Sequence, residues 1–357
     1  KDINMLPCGT YNTQYRQDIA IVRTRLQWGL LVGLIIFLFT VLPLFLNDHW
    51  IAFAVTVCIT LIAVLGLNIL TGLCGQISLG QAAFMGVGAY TTAILVNQLG
   101  WNFFATIPVA ALIAGVIGLL FGIPSLRVKG FYLAITTIAA QFIIMWVIGH
   151  PLAPWSGGKE GLTLASQPAL GNMVFGTTRS FYFPVMGITI LLTFFQKNIM
   201  RTRVGRAFVA IRDNDLAAEV MGIDVFRSKL LAFFICSLFA GIAGSLFVGF
   251  IMRIDCEAFP LMDSIWYLGM LIVGGLGSTV GAITGTLFLL VLKESAMMAA
   301  PMLEHLVAGE FGLGFFAGLT NIVFGIVILI FIIFEPRGIN HRWEIFKSFY
   351  RLHPFPY

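Results

Sequence analysis

The chain has 357 residues, of which 59% are hydrophobic and only 10% charged. Soluble domains carry roughly 25% charged residues, so a water-soluble fold is excluded. The formal net charge of +5, from 21 Lys+Arg against 16 Asp+Glu, calls for no nucleic acid, because basic residues in short loops suit the inner leaflet of a membrane.

The apolar runs are far longer than the ~10-residue segments of a membrane β-barrel, which leaves helices as the spanning structure. The expected fold is an all-α polytopic membrane protein of about ten transmembrane segments, some short or broken. In chain order they fall at 28–46, 50–70, 76–98, 103–123, 131–149, 181–196, 230–250, 263–277, 280–292 and 314–334. The first run lies behind a polar leader and is long enough to stay as a span. Segments 181–196, 263–277 and 280–292 fall short of the ~20 residues a bilayer requires, so half-helices or re-entrant pieces are an expectation there. Three parts result: residues 1–27, a membrane domain over 28–334, and a tail over 335–357, with both termini cytoplasmic.

Charge placement supports this order. Residues 50–126 contain no Lys, Arg, Asp, Glu or His. With the N-terminus inside, every Lys and Arg except Lys159, Arg179, Arg253 and Lys293 faces the cytoplasm, whereas the acidic residues divide evenly. No charge falls at a predicted midplane, where it would cost about 2.5–3.5 kcal/mol, and this counts against proton pumps and ion-coupled carriers. The five cysteines and five histidines are scattered, with no metal-ligand spacing. Glu304, His305 and Glu310 share an outer loop and read as a solvated turn.

Small residues recur every four positions, at Gly277, Gly281 and Gly285, and at Ser237, Gly241, Ser245 and Gly249. This spacing lets helix backbones approach closely. Residues 66–90, GLNILTGLCGQISLGQAAFMGVGAY, set polar groups among glycines. Glycine weakens helices, and unwound backbone persists in a membrane only inside protein or beside a cavity. Asn68, Gln76, Ser78, Gln81 and Tyr90, with Gln141 on a later span, either line a polar path or hydrogen-bond neighbouring helices; residue type alone does not choose. A similar glycine-rich stretch at 273–285 raises an internal repeat, as many transporters have.

The cytoplasmic loop 197–229 is the longest and most charged. Asp213 or Asn214 can cap a short helix over 216–221, and Gly222 can stop it. Ala217 and Ala218 give it a narrow face, and Leu216, Val220 and Met221 apolar contacts. So short a helix needs a docking surface, on its own membrane domain or on a soluble partner. The outer loop 150–180, with Trp155, Gly157, Gly158, Lys159, Glu160 and Arg179, is either a landing surface for a partner or an ordinary solvated loop.

Three stretches make the sequence similar to the permease subunits of the high-affinity branched-chain amino acid ABC importers. They are residues 66–90, residues 201–247 (RTRVGRAFVAIRDNDLAAEVMGIDVFRSKLLAFFICSLFAGIAGSLF), and residues 268–287 (LGMLIVGGLGSTVGAITGTL) with EPRGI at 335–339. Similarity covers most of residues 50–340. The loop also resembles the importer coupling pattern Glu-Ala-Ala-x-x-x-Gly, with Leu216 in place of the Glu. The resemblance implies a permease in a bacterial or archaeal cytoplasmic membrane, paired with a second, similar permease and contacting membrane lipid. Two cytoplasmic ATPase subunits would dock on the coupling region, to which Arg206, Asp213, Asn214, Asp215, Ala217, Ala218 and Gly222 are assigned. A soluble binding protein would deliver the substrate. No G-x-x-x-x-G-K-[ST] phosphate loop occurs, so this chain needs no cofactor of its own and ATP would be bound by partners. Other expectations are the same machine for urea, amides or other amino acids, a stand-alone carrier or channel, and a membrane enzyme. The last lacks convergent titratable groups at one depth.

Overall fold

The structure, a computed structural model, describes residues 25–125, 130–158, 160–171, 173–306, 313–335 and 337–352. Residues 1–24, Arg127, Lys129, Lys159 and Glu310 lie outside these, so the expectations for them are not addressed. The helices are α1 (Arg25–Ile36), α2 (Asp48–Leu67), α3 (Gln81–Leu99), α4 (Phe103–Ser125), α5 (Phe131–Gly149), α6 (Thr178–Ile199), α7 (Arg203–Asp213) and α8 (Asp215–Val220). They continue with α9 (Val225–Ile251), α10 (Leu261–Gly274), α11 (Thr279–Leu306), α12 (Leu313–Phe334) and α13 (Ile339–Leu352). Two π-helical turns interrupt the pattern, Phe37–Val41 after α1 and Asn68–Leu73 after α2.

Among the described residues, nine helical stretches are long and apolar enough to cross a membrane. A tenth counts if the 44° bend between α12 and α13 lies within one span. The expected all-α polytopic architecture is therefore present. The short segments are a correction: 181–196 belongs to the 22-residue α6, and 280–292 to the 28-residue α11. Lys293 and Glu294, just beyond the expected span 280–292, sit in the middle of α11. Only α10, with 14 residues, stays short. The span placed at 76–98 starts instead at Gln81, because residues 74–80 are not helical.

The centre is built by α2, α3 and α9, whose apolar windows are each 67% buried, against 6% for the stretch containing α1. α9 packs along α4, α3 and α2, while α2 also packs against α6 and α10 against α11. Glycine makes the central contacts possible. A Cβ built at Gly88 would land on the backbone of Gly241, and one at Gly244 on the carbonyl of Met85. Gly241 in turn meets Ala110, Ala111 and Ala114 of α4. The Gly277–Gly281–Gly285 run is corrected: Gly281 and Gly285 lie on α11 against Gly274, but Gly277 precedes the helix with φ +79°.

At the end of the bundle where α3 finishes and α9 finishes, two short pairings form. β1 (Leu162–Thr163) pairs with β4 (Arg253–Ile254), and β2 (Ala169–Leu170) with β3 (Met173–Val174). Asn97 ties this layer to α3, donating to the Thr163 carbonyl at 2.8 Å and accepting from the Ala165 N–H at 2.8 Å. The opposite end holds the 74–80 break, α7, α8, the turn at 275–278 and α13.

Close packing of α3 on α9 makes a testable demand. Gly88→Val is expected to destabilise the protein by about 3 kcal/mol through overpacking. Gly187→Ala, on α6 with nothing within 4 Å, should leave the melting temperature in detergent unchanged or slightly raised. Equal melting of the two variants would contradict this packing.

Candidate functional site

The site is the place where two interrupted helices meet. The first interruption follows α2. Its last turn widens to π geometry, with the Cys74 N–H donating to Ile69 O and the Gln76 N–H to Leu70 O. The chain then turns at Gly75, φ +72°, and resumes as α3. The second interruption separates α10 from α11, with Gly275 at φ +111° and Gly277 at φ +79°. Positive φ at these three positions explains the glycines.

The two interruptions touch. The Asn68 side chain donates through Nδ2 to the Ser278 carbonyl at 3.1 Å and accepts through Oδ1 from the Gly277 N–H at 2.9 Å. A Cβ at Gly72 would collide with the Asn68 amide and the Gly277 backbone, so only glycine allows this approach.

Both sides of each break need partners for orphaned backbone groups. Gly80 opens α3 and has no side chain to cap it. Other spans supply the acceptors: Thr137 Oγ1 for the Leu79 N–H at 2.9 Å, Ser264 Oγ for Ala82 at 2.9 Å, and Gln141 Oε1 for Ala83 at 2.8 Å. Gln141 also donates through Nε2 to Phe259 O at 2.9 Å. On the other side, the Arg212 Nη1 donates to Gly72 O at 3.0 Å.

The six pathway candidates therefore fall into distinct settings. Asn68 and Gln141 bridge segments distant in sequence. Gln81 donates to Ala63 O at 2.8 Å and accepts from the Cys236 thiol at 3.1 Å. Ser78 is fully buried and accepts from the Gly80 N–H. Tyr90 lies far along α3, its hydroxyl 3.3 Å from Cys256 Sγ. Gln76 differs: it is buried, and its Oε1 has no hydrogen-bond partner among the described residues. It borders a cavity of about 390 Å³ lined also by Cys74, Gly75, Ile77, Leu133, Arg212 and Lys229. Burial pushes the Cys74 thiol up to about 12, with Lys229 opposing, so it is a neutral thiol.

Beneath this junction lie α7 and α8. Asn214, not Asp213, caps α8, accepting from the N–H groups of Leu216 and Ala217 at 3.0 and 3.2 Å. Asp213 instead pairs with Arg212 at 3.2 Å. Ala218 is buried, and Asp215 pairs with the nearly buried Lys229 of α9 at 2.6 Å. Gly222, φ +83°, ends the unit. Ala217 and Arg206 are exposed. Leu216, Val220 and Met221 are 68%, 86% and 81% exposed, an apolar face that the chain itself leaves uncovered.

Sequence reasoning missed Arg212, Lys229 and Ser264 as members of this site, while Thr137, which shares a span with Gln141, was a weaker candidate beside it. The signal for Lys229 was present, a cation at the start of a long apolar run. It also passed over Gln196, a fully buried amide on α6 with no partner for either polar atom among the described residues.

Fold and site together define a multi-pass membrane protein of the permease type, built around broken helices. The family model described as branched-chain amino acid transport system / permease component matches residues 50–332, and the chain belongs to that family. It is 30% identical over 275 residues to the high-affinity branched-chain amino acid transport system permease protein LivM of Escherichia coli K12, covering 71% of this chain and 64% of that one. This match thus spans just under two thirds of that relative's length. Identity is 25% over 261 residues to the probable branched-chain amino acid transport permease protein LivM of Methanocaldococcus jannaschii, covering 70% and 73%. It is 29% over 227 residues to the autoinducer 2 import system permease protein LsrC of Enterobacter sp. strain 638, covering 60% and 62%. No solved structure gives a significant match.

The two glutamines separate structural from free polar groups. Gln141→Leu strands the Ala83 N–H and the Phe259 carbonyl, and should cost about 3 kcal/mol, seen as a lower melting temperature in detergent. Gln76→Leu removes an Oε1 that has no partner to lose, so its melting temperature should stay close to wild type.

Proposed function

We propose that this chain is the membrane-spanning subunit of an ATP-driven importer for branched-chain amino acids. One observation carries the reading. The short helix α8 is fixed to the membrane core by Ala218 and the Asp215–Lys229 pair, yet it holds Leu216, Val220 and Met221 out into solvent. A capped six-residue helix with an uncovered apolar face fits a docking element for a soluble partner, here a cytoplasmic ATPase subunit. The positive-inside distribution of Lys and Arg supports a cytoplasmic location for α7 and α8.

In this reading the chain sits in a bacterial or archaeal cytoplasmic membrane beside a second, similar permease. Two ATPase chains bind and hydrolyse ATP below, and a soluble binding protein delivers the amino acid to the end bearing β1–β4. The chain itself contributes the pathway and the coupling surface. Arg206, exposed on α7, contributes charge, and Ala217 and Gly222 keep the docking face narrow. Gln76 and the cavity beside it form the inner part of the route. The likeness to an autoinducer 2 import permease favours a second reading of the substrate: the same scaffold carrying another small polar solute, such as an amide, urea or another amino acid.

Purification from native membranes in mild detergent tests the assembly. Recovery of a second permease and ATPase chains with vanadate-sensitive hydrolysis is the expected result. Recovery of this chain alone, with uptake driven by an ion gradient, would overturn the reading in favour of a stand-alone carrier. Val220→Glu and Met221→Glu should leave the melting temperature of the isolated chain unchanged and abolish co-purification of the ATPase. Gln76→Leu should lower uptake at least several-fold with assembly intact.

A further inference from the structure

We propose that Arg212 is the positioning residue that joins the docking helix to the inner gate, by holding the end of broken α2 against the second break. The proposal rests on the importer reading and adds the path by which a partner's movement reaches the membrane domain.

The geometry has three parts. First, the Arg212 guanidinium reaches both breaks. Nη1 donates to Gly72 O at 3.0 Å, and a Cβ built on Gly277 would stand 3.1 Å from that same nitrogen. A cation over the carbonyl end of a helix satisfies an orphaned acceptor and suits the negative end of the helix dipole. The stem of Arg212 crosses Gly75, where a Cβ would stand 2.8 Å from its Cγ, so the glycine at that turn makes room for the side chain.

Second, Arg212 is linked rigidly to α8. Its Nε and Nη2 both donate to Asp213 Oδ1, at 3.3 and 3.2 Å, which sets the plane of the guanidinium. The next residue, Asn214, is at once the end of α7 and the cap of α8, and its N–H bonds back to Ala210 O at 3.0 Å. No flexible linker separates the docking face from the arginine. A pull on α8 is therefore a pull on Arg212.

Third, the side chain has somewhere to go. Arg212 lines the cavity of about 390 Å³ together with Gln76 and Lys229. Withdrawal of the guanidinium from Gly72 into that space leaves the breaks held by the two Asn68 hydrogen bonds and the packing of Gly72 on Gly277. The two glycine-rich segments can then part without unfolding any helix.

Two readouts test this on the full chain. In wild type, Cys74 is buried at the break and lines the same cavity as Arg212. Its alkylation by N-ethylmaleimide, followed by peptide mass spectrometry, should be at least ten-fold faster in Arg212→Gln than in wild type. In proteoliposomes holding the whole importer, leucine taken up per ATP hydrolysed should fall at least ten-fold in Arg212→Gln, with ATPase co-purification retained. Arg212→Lys, which keeps a cationic donor, should shift both readouts in the same direction by less, and it carries the test if the glutamine variant does not fold. Unchanged Cys74 labelling in a folded variant would overturn the proposal, as would faster labelling with unchanged uptake per ATP. A wild-type complex that hydrolyses no ATP would instead remove the importer reading, while the labelling comparison still decides whether Arg212 holds the break.

Discussion

An interrupted helix inside a membrane must find every hydrogen-bond partner within the protein, because lipid offers none. The rest of this structure follows from that constraint. The break after α2 leaves carbonyls on one side and N–H groups on the other. Thr137, Gln141 and Ser264 supply the acceptors, Arg212 supplies a donor, and Asn68 satisfies the second break at the same time. These side chains come from α5, α10, the loop helices and the break itself. The elements converge because each holds one part of a shared set of partners.

Close approach is the second requirement, and it is met by removing side chains rather than by shaping them. Gly88 against Gly241, Gly244 against Met85 and Gly72 against Gly277 bring backbones together where any Cβ would collide. In lipid, helix association gains little from the hydrophobic effect, so contact distance and interhelical hydrogen bonds decide affinity. The Thr92 hydroxyl, donating to Ser245 Oγ at 2.8 Å, is one such bond laid in the α3–α9 seam that the glycines open.

Much of this was legible in the sequence. Apolar runs and charge placement located the spans, since hydropathy reflects the solvent that each residue meets. The glycine and amide content of residues 66–90 announced a broken segment, and Asn214 and Gly222 bracketed a helix by local chemistry. Span lengths at α6 and α11 were misjudged because Thr178, Arg179, Lys293 and Glu294 look like loop residues. Arg179 pairs with Asp48 at 2.8 Å where α6 and α2 begin, and Glu294, in the middle of α11, lies 3.0 Å from His49 at the start of α2, so each polar group meets a partner on a neighbouring helix. The membership of the site was not legible. Arg212 and Gly72 are 140 residues apart, and Asn68 and Ser278 are 210 apart. No local spacing records a hydrogen bond between distant segments. Gly277 shows the same limit: its four-residue spacing with Gly281 suggested a helix face, while its place is in the turn that receives Asn68.

The strength of the clasp fits the gating role proposed for it. Its bonds are two neutral ones from Asn68 and one charge-assisted bond from Arg212. At about 1 kcal/mol for each neutral bond and about 2 for the charged one, the Asn68 bonds that cross the breaks contribute about 2 kcal/mol and the Arg212 bond, which fixes the Gly72 side, about 2 more. Inverting a two-state population from one part in a hundred to ninety-nine takes about 5.5 kcal/mol of differential binding. These figures are of one order. A buried ion pair across the breaks would have raised the cost of opening well beyond this, since separating such partners leaves uncompensated charge. In the proposed importer, a partner that favours one position of α8 would therefore have a closure of the right size to work against. The partly buried Asp215–Lys229 pair beside it ties α8 to α9, and in the proposed coupling it would keep α8 attached while the glycine-lined junction opens.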